Sequence, residues 1–379
     1  MKVSHLVELG QPLQIAEVDK PIPGPRDVLV KVMASTIVPN AYNIVSGKAP
    51  NGTILPDFPA AFGLDAAGLI EQVGADVLHL KAGDRVYVNP LLSCETCHQC
   101  RRGRKELCPS FALRAYFAYS EAGKKRLDQY PLGALSEYLL SPDTKVALLP
   151  PCIDFPTASR FGYIGTSFAA LKKGGVAPGS TLLINGVTGT LGTAAVAIAL
   201  GFGASKILGV GRNRDRLAEV ERLSPRPGRV VVRSSEDEGE LSDWVMQHTG
   251  GLGVDAVYDC LGVGGDANST SCMVKTALKA GGKAVLAAGG AEGSVEQSYW
   301  EILTQDRAVH GSAWFTDAEA DELIEMVTAG EIDFSFLKHQ HFSLEEVNEA
   351  FKAAGDRPGG MVNIVVRPGR ESESVAEEK

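Results

Sequence analysis

The stretch Ile184-Asn185-Gly186-Val187-Thr188-Gly189-Thr190-Leu191-Gly192 decides how this chain is read. Before it stands a short apolar run, Thr181-Leu182-Leu183-Ile184, which reads as a strand. After it, Gly192 to Phe202 is a run of small residues, apolar nearly all round, which reads as a buried helix. The glycines follow G-x-x-G-x-x-G, a variant of the dinucleotide fingerprint. Gly186 allows the sharp turn from strand to helix. Gly189 lets the backbone approach a pyrophosphate, whose charge meets the N–H groups that open the helix. Gly192 lets helix and strand pack closely. With Thr188, Thr190 and Leu191 they form a candidate cofactor loop. On its own the triplet also fits a tight turn that binds nothing.

Outward from that loop the rhythm is strand and helix in alternation. Lys206–Val210, Arg229–Val232, Ala256–Asp259 and Lys283–Leu286 recur at crossover spacing, which predicts a parallel sheet. Before about residue 155 the texture differs: short strands, such as Asp27–Val32, Ala67–Gly74 and Asp84–Val88, sit among frequent Gly and Pro. That predicts a β-rich, barrel-like unit. After about 310 the pattern is mixed again and ends in Val362–Val366. The charged tail from 369 to 379 predicts disorder. With 379 residues the chain is long enough for two domains. A formal charge of -9 argues against a nucleic-acid partner. The sequence shows neither a secretory leader nor an apolar run of membrane-spanning length, so it predicts a cytoplasmic protein off the membrane.

The end of the second parallel strand bears on the cofactor. An acidic residue there would hold the ribose hydroxyls of NAD. This chain instead has Gly211-Arg212-Asn213-Arg214. Glycine leaves room and arginine matches a 2′-phosphate, so NADP(H) is expected over NAD(H). A solvated loop whose arginines touch nothing is the alternative.

Of the seven cysteines, four lie close together: Cys94-x2-Cys97-x2-Cys100-x7-Cys108. Four thiolates on one short loop can close tetrahedrally around zinc and leave no open position for catalysis, so one structural zinc is expected. The competing cluster is iron–sulfur, whose bacterial run C-x2-C-x2-C-x3-C-P shares the proline, here Pro109, but not the last spacing. Cys152, Cys260 and Cys272 stand alone and are expected to be small buried hydrophobes.

The cysteine lobe and the glycine loop, in this order, resemble the zinc-type medium-chain dehydrogenase/reductase family, which includes the alcohol dehydrogenases. Gly63-Leu64-Asp65-Ala66-Ala67-Gly68 resembles its G-H-E-x-x-G stretch, Gly83-Asp84-Arg85-Val86 its G-D-R-V turn, and Gly133–Tyr138 the segment before its inter-domain helix. The resemblance implies an α/β protein with a GroES-like, β-rich catalytic domain over 1–160, carrying the zinc lobe at 94–108. A doubly wound Rossmann domain over 161–311 and a return to the catalytic domain over 312–368 complete it. A substrate cleft at the junction and a homodimer are further implications. By the same resemblance Thr166 contacts the nicotinamide, and Gly262, Ala288 and Gly289, together with Asp259, sit where backbone meets its carboxamide.

The resemblance fails at one place. The positions of the usual catalytic-zinc ligands fall on Val38, Leu64 and Gly162, none of which binds metal. Charge on a substrate oxygen must then be met by hydrogen-bond donors or a proton. Candidate catalytic residues are Asn40, Tyr42, Asn43, Asp65 and Tyr163; Tyr116, Phe117 and Tyr119 either line the pocket or pack beneath the lobe. The expected function is an NADPH-dependent oxidoreductase that reduces a conjugated C=C or a carbonyl of a small molecule without catalytic zinc. An NAD(P)-dependent alcohol dehydrogenase and a non-catalytic NADPH-binding protein are the alternatives.

Overall fold

The computed structural model describes residues 1–49, 52–289 and 292–369. Apart from residue 369 itself, the expected tail lies outside them. The glycine loop follows the first strand of one of the two main sheet systems, a six-stranded one. Across this all-parallel sheet the strands run Val230–Ser234, Lys206–Gly211, Thr181–Asn185, Val254–Asp259, Leu278–Leu286 and Ala308–Gly311. Strand Thr181–Asn185 comes first in sequence yet lies inside, so the chain winds outward from it in both directions. The strand order therefore reverses at the end that carries the glycine loop, the place where such sheets bind ligands. Helix Thr190–Gly201 buries every residue from Leu191 to Ala199, as its composition requires. Each fully buried Leu, Ile or Val there contributes about 1.5–3 kcal/mol.

The second system is antiparallel apart from one pair. Its order is Val146–Leu148, Arg85–Val88, Asp65–Val73, Asp27–Thr36, Val362–Arg367 and Lys338–Ser343, with Tyr138–Pro142 also on Asp27–Thr36. Val365 and Val366 pair with Thr36 and Ser35, so strands from both ends of the sequence build one sheet. Two register shifts bend Asp27–Thr36 against Asp65–Val73, which helps a short sheet curl. Three short strands, Leu91–Leu92, Ala112–Leu113 and Phe117–Ala118, form the base of the cysteine lobe.

Helix Phe161–Lys173 joins the two systems and is buried from Phe161 to Leu171 except at Tyr163. It carries two interior glycines, each costing about 0.5–1 kcal/mol relative to alanine. Both lie where another side chain presses in. A Cβ on Gly162 would stand 2.3 Å from both carboxyl oxygens of Asp65, and one on Gly165 would stand 2.7 Å from the Phe315 ring. Close packing across the junction is what these glycines provide.

The isolated cysteines depart from expectation. Cys152 and Cys272 are exposed, and only Cys260 is largely enclosed. Cys152 follows two prolines in a surface turn and Cys272 sits on the outer face of helix Ala267–Thr276. Their small apolar character did not decide their burial.

Candidate functional site

The cofactor loop has the geometry its glycines imply. Gly186 adopts φ +90°, a conformation closed to most side chains, and its N–H bonds Val210 O at 3.0 Å. A Cβ on Gly192 would come within 2.4 Å of Gly186 O, so helix and turn meet with no room for a side chain. Gly189 is exposed, in extended conformation, and caps helix Thr190–Gly201 without a side chain of its own. The first N–H groups of that helix are the kind of donors an anionic pyrophosphate needs. The opposite wall comes from the far end of the chain. Gly360 N–H donates to Thr188 O at 2.9 Å, and a Cβ there would strike Thr193 and Gly189. Arg160 fixes this wall from behind by donating to Gly360 O and Val362 O at 2.7 and 2.6 Å.

Where the adenosine end is expected, Gly211 is buried and Arg212 exposed. Asn213 caps the next helix by accepting from Arg216 N–H at 3.0 Å. Arg214 is turned aside to an ion pair with Asp237, 2.6 Å apart. Of the two guanidiniums expected at a 2′-phosphate, Arg214 is engaged by Asp237 and Arg212 is exposed. Arg216, which sequence reading passed over, lines a cleft of about 160 Å3 with Thr188, Lys338 and Gly359. The run Arg212-Asn213-Arg214-Asp215-Arg216 contained that third cation all along.

Where the nicotinamide end is expected, Thr166 is buried and donates to Gly162 O at 2.7 Å, one helical turn back. Asp259 accepts from Leu261 N–H at 3.0 Å, and burial raises its carboxyl. Gly262 is exposed, Ala288 half-buried and Gly289 exposed, at the ends of neighbouring strands.

Polar groups gather on the catalytic-domain side of helix Phe161–Lys173. Asp65 is completely buried; its Oδ1 accepts from the Tyr87 hydroxyl at 2.8 Å, and its Oδ2 has no partner. Burial pushes this carboxyl up to about 7, against the opposing pull of the Tyr87 hydroxyl and the Gly162 N–H. Tyr87 is held by Phe161 and Phe315, with ring centroids 5.6 and 6.5 Å away. The backbone N–H of Asn40 points at the Tyr163 hydroxyl, which also feels Asp65. Val38 and Leu64, 1% and 3% exposed, are aliphatic core. Tyr42 lies apart from this group: its ring covers Gly355 and is 37% exposed. Asn43 is half-buried on the same short helix, Pro39–Val45. Sequence reasoning missed Tyr87, which the Gly83–Val86 turn delivers, and undervalued Tyr116.

The four cysteines converge. Their sulfurs all lie within 4.8 Å of one another. The pairs Cys94–Cys100 and Cys97–Cys108 are each 3.9 Å apart, close to the roughly 3.8 Å edge of a tetrahedron with 2.3 Å zinc–sulfur bonds. Backbone N–H groups of Cys94, Cys97, Cys100 and Ser110 point at the sulfurs at 3.3–3.5 Å. Although burial opposes it, such donors bring the Cys94 thiol down to about 6. The donor set suits a thiolate-bound metal. Among the described residues it is the one cluster of three or more candidate ligands.

The lobe is tied to the junction by charge. Lys145, 1% exposed at its side chain, pairs with Asp317 at 2.8 Å and Glu95 at 3.2 Å. Lys105 pairs with the same two acids at 3.0 and 2.7 Å. Burial works against Glu95, but Lys105, Ser93 and Lys145 hold its carboxyl down to about 2.

These features match known proteins across the chain. Residues 24–151 match the alcohol dehydrogenase GroES-like domain and 190–329 the zinc-binding dehydrogenase domain. An NAD-dependent alcohol dehydrogenase of Saccharolobus solfataricus is 29% identical over 367 residues, covering 94% of this chain and 98% of that one. Another, of Sulfolobus acidocaldarius, is 30% identical over 265 residues, covering 69% and 71%. A zinc-binding dehydrogenase structure from Sinorhizobium meliloti, bound to NADP, superposes with a TM-score of 0.78 at 24% identity over 97% of this chain and 99% of that one. The chain belongs to the zinc-type medium-chain dehydrogenase/reductase family. It is a nicotinamide-dependent oxidoreductase acting on small molecules. Among the described residues no helix is long and apolar enough to cross a membrane.

Proposed function

We propose that this protein is an NADPH-dependent reductase of a carbonyl, or of a C=C conjugated to one, with no metal at its reaction centre. One observation carries the reading. The space that a side chain at 162 would fill is taken by the Asp65 carboxyl, and Val38 and Leu64 are buried aliphatic side chains. Among the described residues no three candidate ligands stand there to hold a Lewis acid. When bound, the nicotinamide supplies the hydride. The chain's own contribution is to seat the pyrophosphate at Gly186–Gly192, to meet the 2′-phosphate with Arg212 and Arg216, and to offer Asp65, Tyr163 and Asn40 to the substrate's polar end. Gly262, Ala288 and Gly289 supply backbone for the carboxamide. Hydride transfer needs chiefly that positioning.

Comparing kcat/KM with NADPH and NADH on an enone and a ketone tests this. The expected preference for NADPH is about tenfold or more, the factor that about 1.4 kcal/mol of charge-assisted bonding supplies. An NADH preference overturns the cofactor assignment. Oxidation of an alcohol with NAD is the second reading, and the names of the relatives favour it. Turnover of alcohols with no reduction of enones or ketones would decide for it.

The cysteine lobe is proposed to hold one zinc for structure alone, and metal analysis should find about one per chain. The protein is further proposed to be cytoplasmic, where its seven cysteines persist without disulfides. It is proposed to dimerise through strand Ala308–Gly311 and the neighbouring helix Tyr299–Gln305. That strand is the sheet's edge, and the helix exposes Tyr299, Trp300, Ile302 and Leu303 at 81, 68, 41 and 60%.

A further inference from the structure

Among the buried phenols of the described residues, most hydroxyls are committed. Tyr87 is bonded to Asp65 and Tyr258 to Ser167, at 2.8 and 3.0 Å. Tyr130 donates to Asp27 at 2.9 Å. Tyr116 is the exception. Its ring is 2% exposed and wedged between Phe62 and Phe117, with centroids 5.6 and 5.1 Å away. Its hydroxyl is buried with no hydrogen bond of ordinary geometry, and the Asn40 side chain makes only a weak one to it. An orphan of this kind costs about 1–3 kcal/mol and calls for an explanation. Tyr116 shares its surroundings with Asp65 and Tyr163, and Asp65 Oδ2 is the other uncommitted polar atom of that group.

We infer that the Tyr116 hydroxyl and the Asp65 Oδ2 carboxyl together form the seat for the substrate's carbonyl oxygen, doing with two hydrogen bonds what a metal does elsewhere. The inference rests on the reductase reading and deepens it. When hydride reaches the β-carbon of an enone, the C=C pair shifts and negative charge gathers on oxygen. Two fixed donors in an apolar wall stabilise that charge more than the neutral carbonyl, which is the condition for catalysis. The resulting enolate takes its proton at carbon from water. Burial raises the Tyr116 phenol well above its ordinary range, so it keeps its proton and acts as a donor. Asp65 must be neutral to donate, and its setting favours that. The titratable groups around it are the phenols of Tyr87, Tyr116 and Tyr163, with the Arg160 guanidinium beyond Tyr163.

The test compares the wild type with Tyr116→Phe and Asp65→Asn, using NADPH with cyclohex-2-enone and, separately, binding of 4-nitrophenol, whose phenolate mimics the charged oxygen. Tyr116→Phe deletes an atom that makes no hydrogen bond of ordinary geometry in the protein, so its Tm should hold or rise. Its kcat should fall about 10²–10³-fold with NADPH affinity unchanged. Its affinity for 4-nitrophenol should fall about tenfold or more. Wild-type kcat should decline as pH rises through about 7, where Asp65 ionises, and Asp65→Asn, whose amide cannot ionise, should lose that limb. Unchanged kcat and unchanged 4-nitrophenol affinity in Tyr116→Phe overturn the inference, as does an identical pH profile in Asp65→Asn. If the wild type reduces nothing yet binds 4-nitrophenol through Tyr116, the seat stands and the reductase reading falls.

Discussion

Gly162 and Asp65 explain each other. The helix forgoes a side chain at 162 because a carboxyl already occupies the place. Gly162→Ala must therefore push Asp65 off Tyr87, at about 1–3 kcal/mol of overpacking. A urea titration should show that loss, and Asp65→Ala in the same chain should relieve part of it; an unchanged midpoint for Gly162→Ala would refute the fit. Asp65 also shapes the pH dependence of stability. Its pKa is raised on folding, to about 7. Below its unfolded value near 4 both states are protonated and it costs nothing. As pH climbs from about 4 to about 7 the unfolded state ionises first, so stability falls, and the penalty is complete above that window. Asp65→Asn should thus melt higher than wild type at pH 8 and lose the advantage at pH 4. Little of this pairing was legible beforehand. Asp65 could be placed near the reaction centre by its motif, but its unpartnered oxygen and Tyr116's uncommitted hydroxyl belong to tertiary packing, which no local spacing reports. Tyr42 shows the converse: the family resemblance put it in the cleft, yet the turn of a short helix carries its ring to Gly355.

The cysteine lobe and the glycine loop are local elements, and both were legible for that reason. Their chemistry depends on residues a few positions apart, so spacing alone fixes the geometry. What spacing could not reveal was how each is braced. The lobe is locked by Lys145 and Lys105 against Asp317, which lies 172 and 212 positions away from them. Lys145 is fully enclosed, so removing Asp317 leaves its buried charge with Glu95 as the remaining acid partner. Asp317→Ala should cost about 1–3 kcal/mol in chemical unfolding. A loss below about 1 kcal/mol would mean that the pairs behave as surface contacts. Cys97→Ser should likewise lower Tm and zinc content together. A stable, fully soluble Cys97→Ser protein would count against a structural metal. The loop after Gly211 makes the same point about reach: its composition announced cations, but Asp237, on a neighbouring connection, decides which of them is free.

At the scale of the whole molecule, the change of texture near residue 155 and the βαβ rhythm beyond it already implied two architectures in one chain. That both sequence ends share a sheet followed from resemblance and not from pattern, because pairing between Thr36 and Val365 leaves no trace in either segment alone. The exposed aromatic helix beside the sheet edge predicts association. Light scattering should give a dimer for the wild type and a monomer for Trp300→Glu, whose charge would be buried in the contact. A monomeric wild type would remove that proposal.

The bracing of the cofactor loop by Gly360 has a consequence for biosynthesis. A ribosome releases the glycine loop long before it makes the segment that walls it. Strand Asp27–Thr36 emerges earlier still, and waits with an open flank for Val362–Arg367. Until translation reaches that strand, the nascent polypeptide carries an unfinished sheet and a one-sided nucleotide cradle. Such a chain is a natural client for a chaperone.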